Sequence, residues 1–165
     1  MVEVVLCTFE GLLRAAEIVR NGGVIVYPTD TIYGLGCNPY DEDAVEKVFR
    51  IKGRTGKPLP LLVSGFHEAF RLAEFTPLAI KVAGKMWPGA LTLVLRRKPE
   101  APATLGGDPN LIGLRFPKHD YACWLAGLCG GAIVGTSANL SGQKPARTAR
   151  EALKVLGGKV DLILD

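Results

Sequence analysis

Apolar positions recur at helical spacing in one stretch, run unbroken for four or five residues in the next, and alternate this way along the chain. Over 10–20, Leu12, Ala16 and Val19 share one helical face, and Gly22-Gly23 supplies a stop. Val24 to Tyr27 follows as a short, wholly apolar strand ended by Pro28. Asp41, Glu42 and Asp43 make an acidic helix start, after which Ala44, Val45, Val48 and Phe49 keep helical spacing. Further strands are predicted over 59–63, 91–95, 111–115, 132–135 and 160–164. Further helices are predicted over 66–73, 77–86, 120–128 and 148–156. Several strands follow one another without a full crossover helix. The pattern therefore predicts a mixed, twisted sheet with helices on its faces, not a repeating βαβ array.

The chain has 165 residues, so the expectation is a single domain spanning 1–165. Apolar residues make up 48% and charged residues 22%, which excludes a disordered chain. A net charge of +4 adds only a mild bias toward anionic partners, short of a dedicated nucleic-acid arm. The four cysteines form no C-x-x-C pair, and His67 and His119 stand at no metal-ligand spacing to them, so no protein-held metal is expected. The N-terminus has an early acid and no basic region, and glycines interrupt the longest uncharged run, 123–141. Neither a secretory leader nor a membrane span is expected, and the expected location is cytoplasmic.

Polar, glycine-rich segments fall at 28–38, 52–58, 106–110 and 136–145, where strands end and ligand crevices form. The standard nucleotide motifs fail there. The glycines of Gly34-Leu35-Gly36 are followed by Pro39 where a third glycine belongs. Gly53 to Lys57 is too short for a phosphate loop and lacks the following Ser or Thr. Ser137 has no hydrolase elbow around it. What remains is a set of constellations, each with an ordinary alternative. Lys52, Arg54 and Lys57 gather three cations around two glycines. In an extended segment Lys52 and Arg54 would grip one anion together, and the alternative is a solvated basic loop. Arg115 ends an apolar strand, where it needs an anion: a ligand carboxylate or an acid of the chain itself. Hydroxyls and an amide follow a buried strand at 135–142, and hydroxyls and a carboxylate do so at 28–36. Either could orient a ligand or simply cap a turn.

Taken in order, the segments YPTDTIYGLGCNP, FRIKGRTGKPLPLLV, MWPGALTLVL, LIGLRFP and IVGTSANLSGQKPA resemble the YrdC-like family of threonylcarbamoyl-adenylate synthases. The likeness runs from about Val24 to Asp165. It implies an α+β fold of the YrdC/RibB-like type, a mixed twisted sheet flanked by helices with a concave basic cavity. It implies condensation of L-threonine, bicarbonate and ATP, with Mg2+, to threonylcarbamoyl-adenylate and pyrophosphate. A separate, downstream threonylcarbamoyl transferase would then modify tRNA. On the matching positions, Lys52 and Arg54 would be catalytic. Arg54, Lys57, Ser137 and Asn139 would contact ATP, and Thr31, Arg115 and Gly135 would contact threonine. An alternative within the same resemblance is a non-catalytic binder of double-stranded RNA or tRNA. The family commonly carries a further segment with a Ser-Thr pair and an Arg-x-Gly, which the residues up to Asp165 do not contain.

Overall fold

The computed structural model describes residues 1–53 and 57–165. Ten strands run as β1 (Glu3–Val5), β2 (Ile25–Tyr27), β3 (Gly34–Gly36), β4 (Leu61–Val63), β5 (Ala73–Glu74), β6 (Leu93–Arg97), β7 (Leu111–Arg115), β8 (Ala132–Val134), β9 (Thr136–Ser137) and β10 (Leu162–Leu164). Six helices lie among them: α1 (Phe9–Arg20), α2 (Glu42–Lys52), α3 (Phe66–Leu72), α4 (Pro77–Met86), α5 (Asp120–Leu128) and α6 (Ala149–Leu156).

The helix starts have local causes. Thr8, Asp41, Thr76 and Thr148 each accept a backbone N–H of the first turn, and Pro77 enters α4 where its missing N–H is no loss. Helix α2 stops at Lys52 because Gly53 takes the left-handed conformation at φ 65°.

The strands form two mixed five-stranded sheets where the apolar pattern suggested one. The first runs β1-β10-β2-β3-β9, parallel through β1, β10 and β2 and antiparallel from there on. The second runs β5-β6-β7-β4-β8, with β4 and β7 its parallel pair. One stretch of backbone serves both sheets, since β8 belongs to the second, β9 to the first, and Gly135 alone stands between them. The Val134 N–H also donates to the Cys37 carbonyl at 3.1 Å, fastening the end of β3 to β8.

Side-chain alternation sends each central strand into two cores. On one side Ile25, Tyr27, Ile133, Leu162 and Leu164 pack with Leu12, Val19 and Leu125 of α1 and α5. On the other, Val26, Leu35, Val63, Val134 and Ile163 pack with the apolar faces of α2, α3 and α6. Strands buried on both faces read as unbroken apolar runs, which is why β2, β4, β8 and β10 were legible as strands.

Candidate functional site

Tyr27 organises the ground beneath the site. Its side chain is buried, and its hydroxyl donates to the Val134 carbonyl at 2.8 Å. Burial pushes the phenol far above its ordinary range, so it stays a neutral donor. The ring lies against glycines. A Cβ on Gly34 would come within 3.0 Å of Tyr27 Cζ, and one on Gly36 within 2.7 Å of Cε1. At Gly135 a Cβ would meet Leu62 Cγ at 2.6 Å and the Tyr27 hydroxyl at 3.2 Å. Gly135, expected to face threonine, is thus a glycine that packing demands.

Lys52 is placed differently from either reading of its segment. It is the last residue of α2, not part of an extended basic loop, and it is only 2% exposed. Its ammonium donates to the Ser137 carbonyl at 2.8 Å, to Ser137 Oγ at 3.2 Å and to Asn139 Oδ1 at 2.5 Å. The Ser141 N–H returns a bond to the Lys52 carbonyl at 3.0 Å. Ser137 Oγ also donates to Asn139 Oδ1 at 2.5 Å, and Asn139 Nδ2 donates to the Gln143 carbonyl at 2.6 Å. Lys52, expected to be catalytic, and Ser137 and Asn139, expected to contact ATP, are therefore brought together as a knot tying α2 to the 136–143 loop. Removing a buried cation strands the acceptors it bonds, so Lys52 is tied into the fold and is not a spare loop charge.

The second cluster lies at the end of β7. Arg115 Nη2 forms an ion pair with Asp30 Oδ1, the two side chains being 15% and 13% exposed. The same Nη2 reaches Thr31 Oγ1 at 3.4 Å, and Nε donates to the Gly89 carbonyl at 3.2 Å. Asp30 Oδ2 accepts the Lys118 N–H at 3.0 Å. Arg115 and Thr31 thus meet, and of the two anions the sequence left open for Arg115 the one present is an acid of the chain itself, Asp30, which the sequence did not single out. Its signal was there: an arginine ending a buried strand needs an anion, and Asp30 sits in the loop after the central strand β2. The turn is set by Thr29, whose hydroxyl accepts the Thr31 N–H at 3.2 Å and donates to the Ile32 carbonyl at 2.5 Å. Trp87-Pro88-Gly89 does close α4, and it also supplies the carbonyl that steadies Arg115.

Of the remaining expectations, Arg54 lies outside the described residues. Lys57 is exposed, on a segment beside the 105–107 loop, where the Leu59 N–H donates to the Leu105 carbonyl at 2.7 Å. Among the described residues its side chain makes no hydrogen bond or ion pair with the Lys52 knot. The cavities differ in character. One of about 260 Å³ is lined by Pro58, Pro60, Thr92, Val94, Asp108 and Gly113. Another of about 620 Å³ includes Lys144, Arg147 and Glu151. No group of three or more His, Cys, Asp or Glu among the described residues could hold a metal ion. Among the described residues no helix is long and apolar enough to cross a membrane.

The Sua5/YciO/YrdC family model, described as telomere recombination, matches residues 17–165. The chain belongs to this family. A family relative from Methylococcus capsulatus, named threonylcarbamoyl-AMP synthase, is 41% identical over 140 residues, covering 83% of this chain and 75% of its own. Among solved structures, Pyrococcus abyssi Sua5 complexed with L-threonine superposes with a TM-score of 0.90 at 34% identity. That match covers 100% of this chain and 50% of the P. abyssi chain, so the present chain spans half that protein's length. E. coli YciO matches at a TM-score of 0.91 and 30% identity, over 99% of this chain and 84% of its own. The α+β fold with mixed sheets flanked by helices is that of the family.

Proposed function

We propose that this protein is a threonylcarbamoyl-AMP synthase, a nucleotidyltransferase acting on L-threonine, bicarbonate and ATP. The observation that carries the reading is the meeting of Arg115 and Thr31, residues far apart in sequence, at 3.4 Å. A guanidinium suits an amino acid's carboxylate, and a hydroxyl beside it suits the polar remainder. A relative named for this activity and the threonine complex of a family member support it over the reading as a double-stranded RNA or tRNA binder.

In the proposed reaction the threonine amine condenses with bicarbonate to a carbamate and water. A carbamate oxygen then attacks the α-phosphorus of ATP, and the bond to pyrophosphate breaks. Both reacting groups are anions, so the work falls on positioning and charge neutralisation more than on proton transfer. Arg115 would hold the carboxylate. Ser137 and Asn139, fixed by Lys52, would frame the nucleotide side, with Lys57 and Arg54 as the cations nearest the phosphates in sequence. Mg2+ would enter as an escort of the triphosphate, bridging its oxygens. The product is an activated acyl-adenylate, which a downstream threonylcarbamoyl transferase acting on tRNA would consume.

The test is pyrophosphate release by the purified protein with ATP, Mg2+ and bicarbonate, with and without L-threonine. Release that depends on threonine supports the reading. Folded protein that releases none, yet binds double-stranded RNA with a steep salt dependence, would replace it with the RNA-binding one.

A further inference from the structure

We propose that Asp30 is the positioning residue of the amino-acid site, holding the Arg115 guanidinium so that one end of it faces the substrate carboxylate. The inference rests on the synthase reading above. Arg115 is fixed at two of its three nitrogens: Nε by the Gly89 carbonyl at 3.2 Å, and Nη2 by Asp30. Among the described residues Nη1 has no hydrogen-bond partner, and the side chain is 15% exposed. A planar group held at two corners has little rotational freedom, so the remaining corner is presented in one direction.

Asp30 does more than pair a charge. Its other oxygen accepts the Lys118 N–H at 3.0 Å, just before α5, while Asp30 itself belongs to the 28–33 loop after β2. Through Arg115 it also reaches the 87–89 turn after α4. Three loops from distant parts of the chain therefore meet on one carboxylate, and Thr31 rides on the same loop one residue away. An acid serving only to neutralise Arg115 would have no need of the backbone bond. This one fixes the distance between the guanidinium and the Thr31 hydroxyl.

The test measures steady-state constants and direct L-threonine binding by titration calorimetry for the wild-type chain, Asp30→Asn and Asp30→Glu. The first substitution removes the charge, and the second moves it by one methylene. Each is expected to raise the threonine KM by about tenfold or more, the scale of one charge-assisted hydrogen bond. The ATP KM and the kcat at saturating threonine should stay within about twofold, the signature of lost binding without lost chemistry. A purely structural acid would lower kcat and disturb both KM values together. Should Asp30→Asn fail to fold, Asp30→Glu carries the same test.

A threonine KM unchanged in whichever variant folds overturns the proposal. So does tighter threonine binding, which would make Asp30 a competitor for Arg115. In an Arg115→Ala background, Asp30→Asn should change threonine KM by less than about twofold, since no cation is left to position. A full further tenfold there would show that Asp30 acts independently of Arg115. If the wild-type chain neither binds nor uses threonine, the synthase reading fails and the role of Asp30 with it. Use of threonine by wild type, with variants unaffected, sinks Asp30 alone.

Discussion

The two cations at the ends of the candidate site are embedded in opposite ways. Lys52 is 2% exposed, and its ammonium donates to a carbonyl, a hydroxyl and an amide oxygen of the 137–139 stretch. Arg115 is 15% exposed, meets a carboxylate, and leaves one nitrogen without a partner among the described residues. A buried charge that donates to several acceptors is committed to the fold, because removing it strands several buried polar atoms at once. A charge paired at one edge and open at another keeps something to offer a ligand. On the proposed function, the difference separates a residue that builds the site from one that would address the substrate, which charge and position in the chain do not.

Removing Lys52 should have the largest effect on stability. Lys52→Ala is expected to cost about 2–4 kcal/mol, seen as a fall in Tm of roughly 5–15 °C without ligand. A Tm within about 2 °C of wild type would erase the contrast and return Lys52 to the role of a free loop cation. Next comes Gly135→Ala, whose Cβ would lie 2.6 Å from Leu62 Cγ, between the two clusters. Overpacking there should cost about 1–3 kcal/mol in denaturant unfolding. An unperturbed midpoint would mean that the Gly135 backbone can move aside.

On the open side, Arg115→Lys should barely shift Tm, since a lysine can still pair Asp30, while threonine KM rises about tenfold. A large loss of Tm with unaltered threonine KM would place Arg115 in the same class as Lys52. The smallest effect is expected from two thiols, Cys37 and Cys123. Burial pushes the Cys37 thiol from its ordinary 9.0 up to about 12, whereas Cys123 is half-buried and its upward shift is smaller. Alkylation of native protein near pH 8, followed by peptide mass analysis, should label Cys123 well before Cys37. Between pH 9 and about 12 the unfolded chain has released the Cys37 proton while the folded chain keeps it, so this group lowers stability as pH rises through that window. Equal labelling of both thiols would show that the core around Cys37 opens as readily as the surroundings of Cys123.

Much of the scaffold was legible because burial writes itself as pattern. Helices α4 and α5 and strand β7 lie where apolar spacing put them, and unbroken apolar runs marked the buried strands. Strands β3 and β9 did not show, since Gly34, Gly36, Thr136 and Ser137 have the composition of loops. They are strands because β3 pairs with β2 on one side and β9 on the other, while the Tyr27 ring fills the space that side chains at Gly34 and Gly36 would need, a fact of packing and not of local preference. The same holds for the site. Arg115 announced a need for an anion, but that Asp30 meets it depends on a contact across 85 positions. Lys52 looked like loop charge because Gly53 follows it. Nothing local says that its side chain turns back toward Asn139, 87 positions away.

The backbone run through β8, Gly135 and β9 has a mechanical consequence. It works as a shared beam: neither sheet can fray at that edge without pulling on the other, and the Val134 N–H bond to Cys37 pins the beam at mid-span. Amides of β3, β4, β8 and β9 should therefore exchange with solvent deuterons as one cooperative block, with the outer strands β1 and β5 opening earlier. The two sheets are distinct in pairing and one in how they come apart.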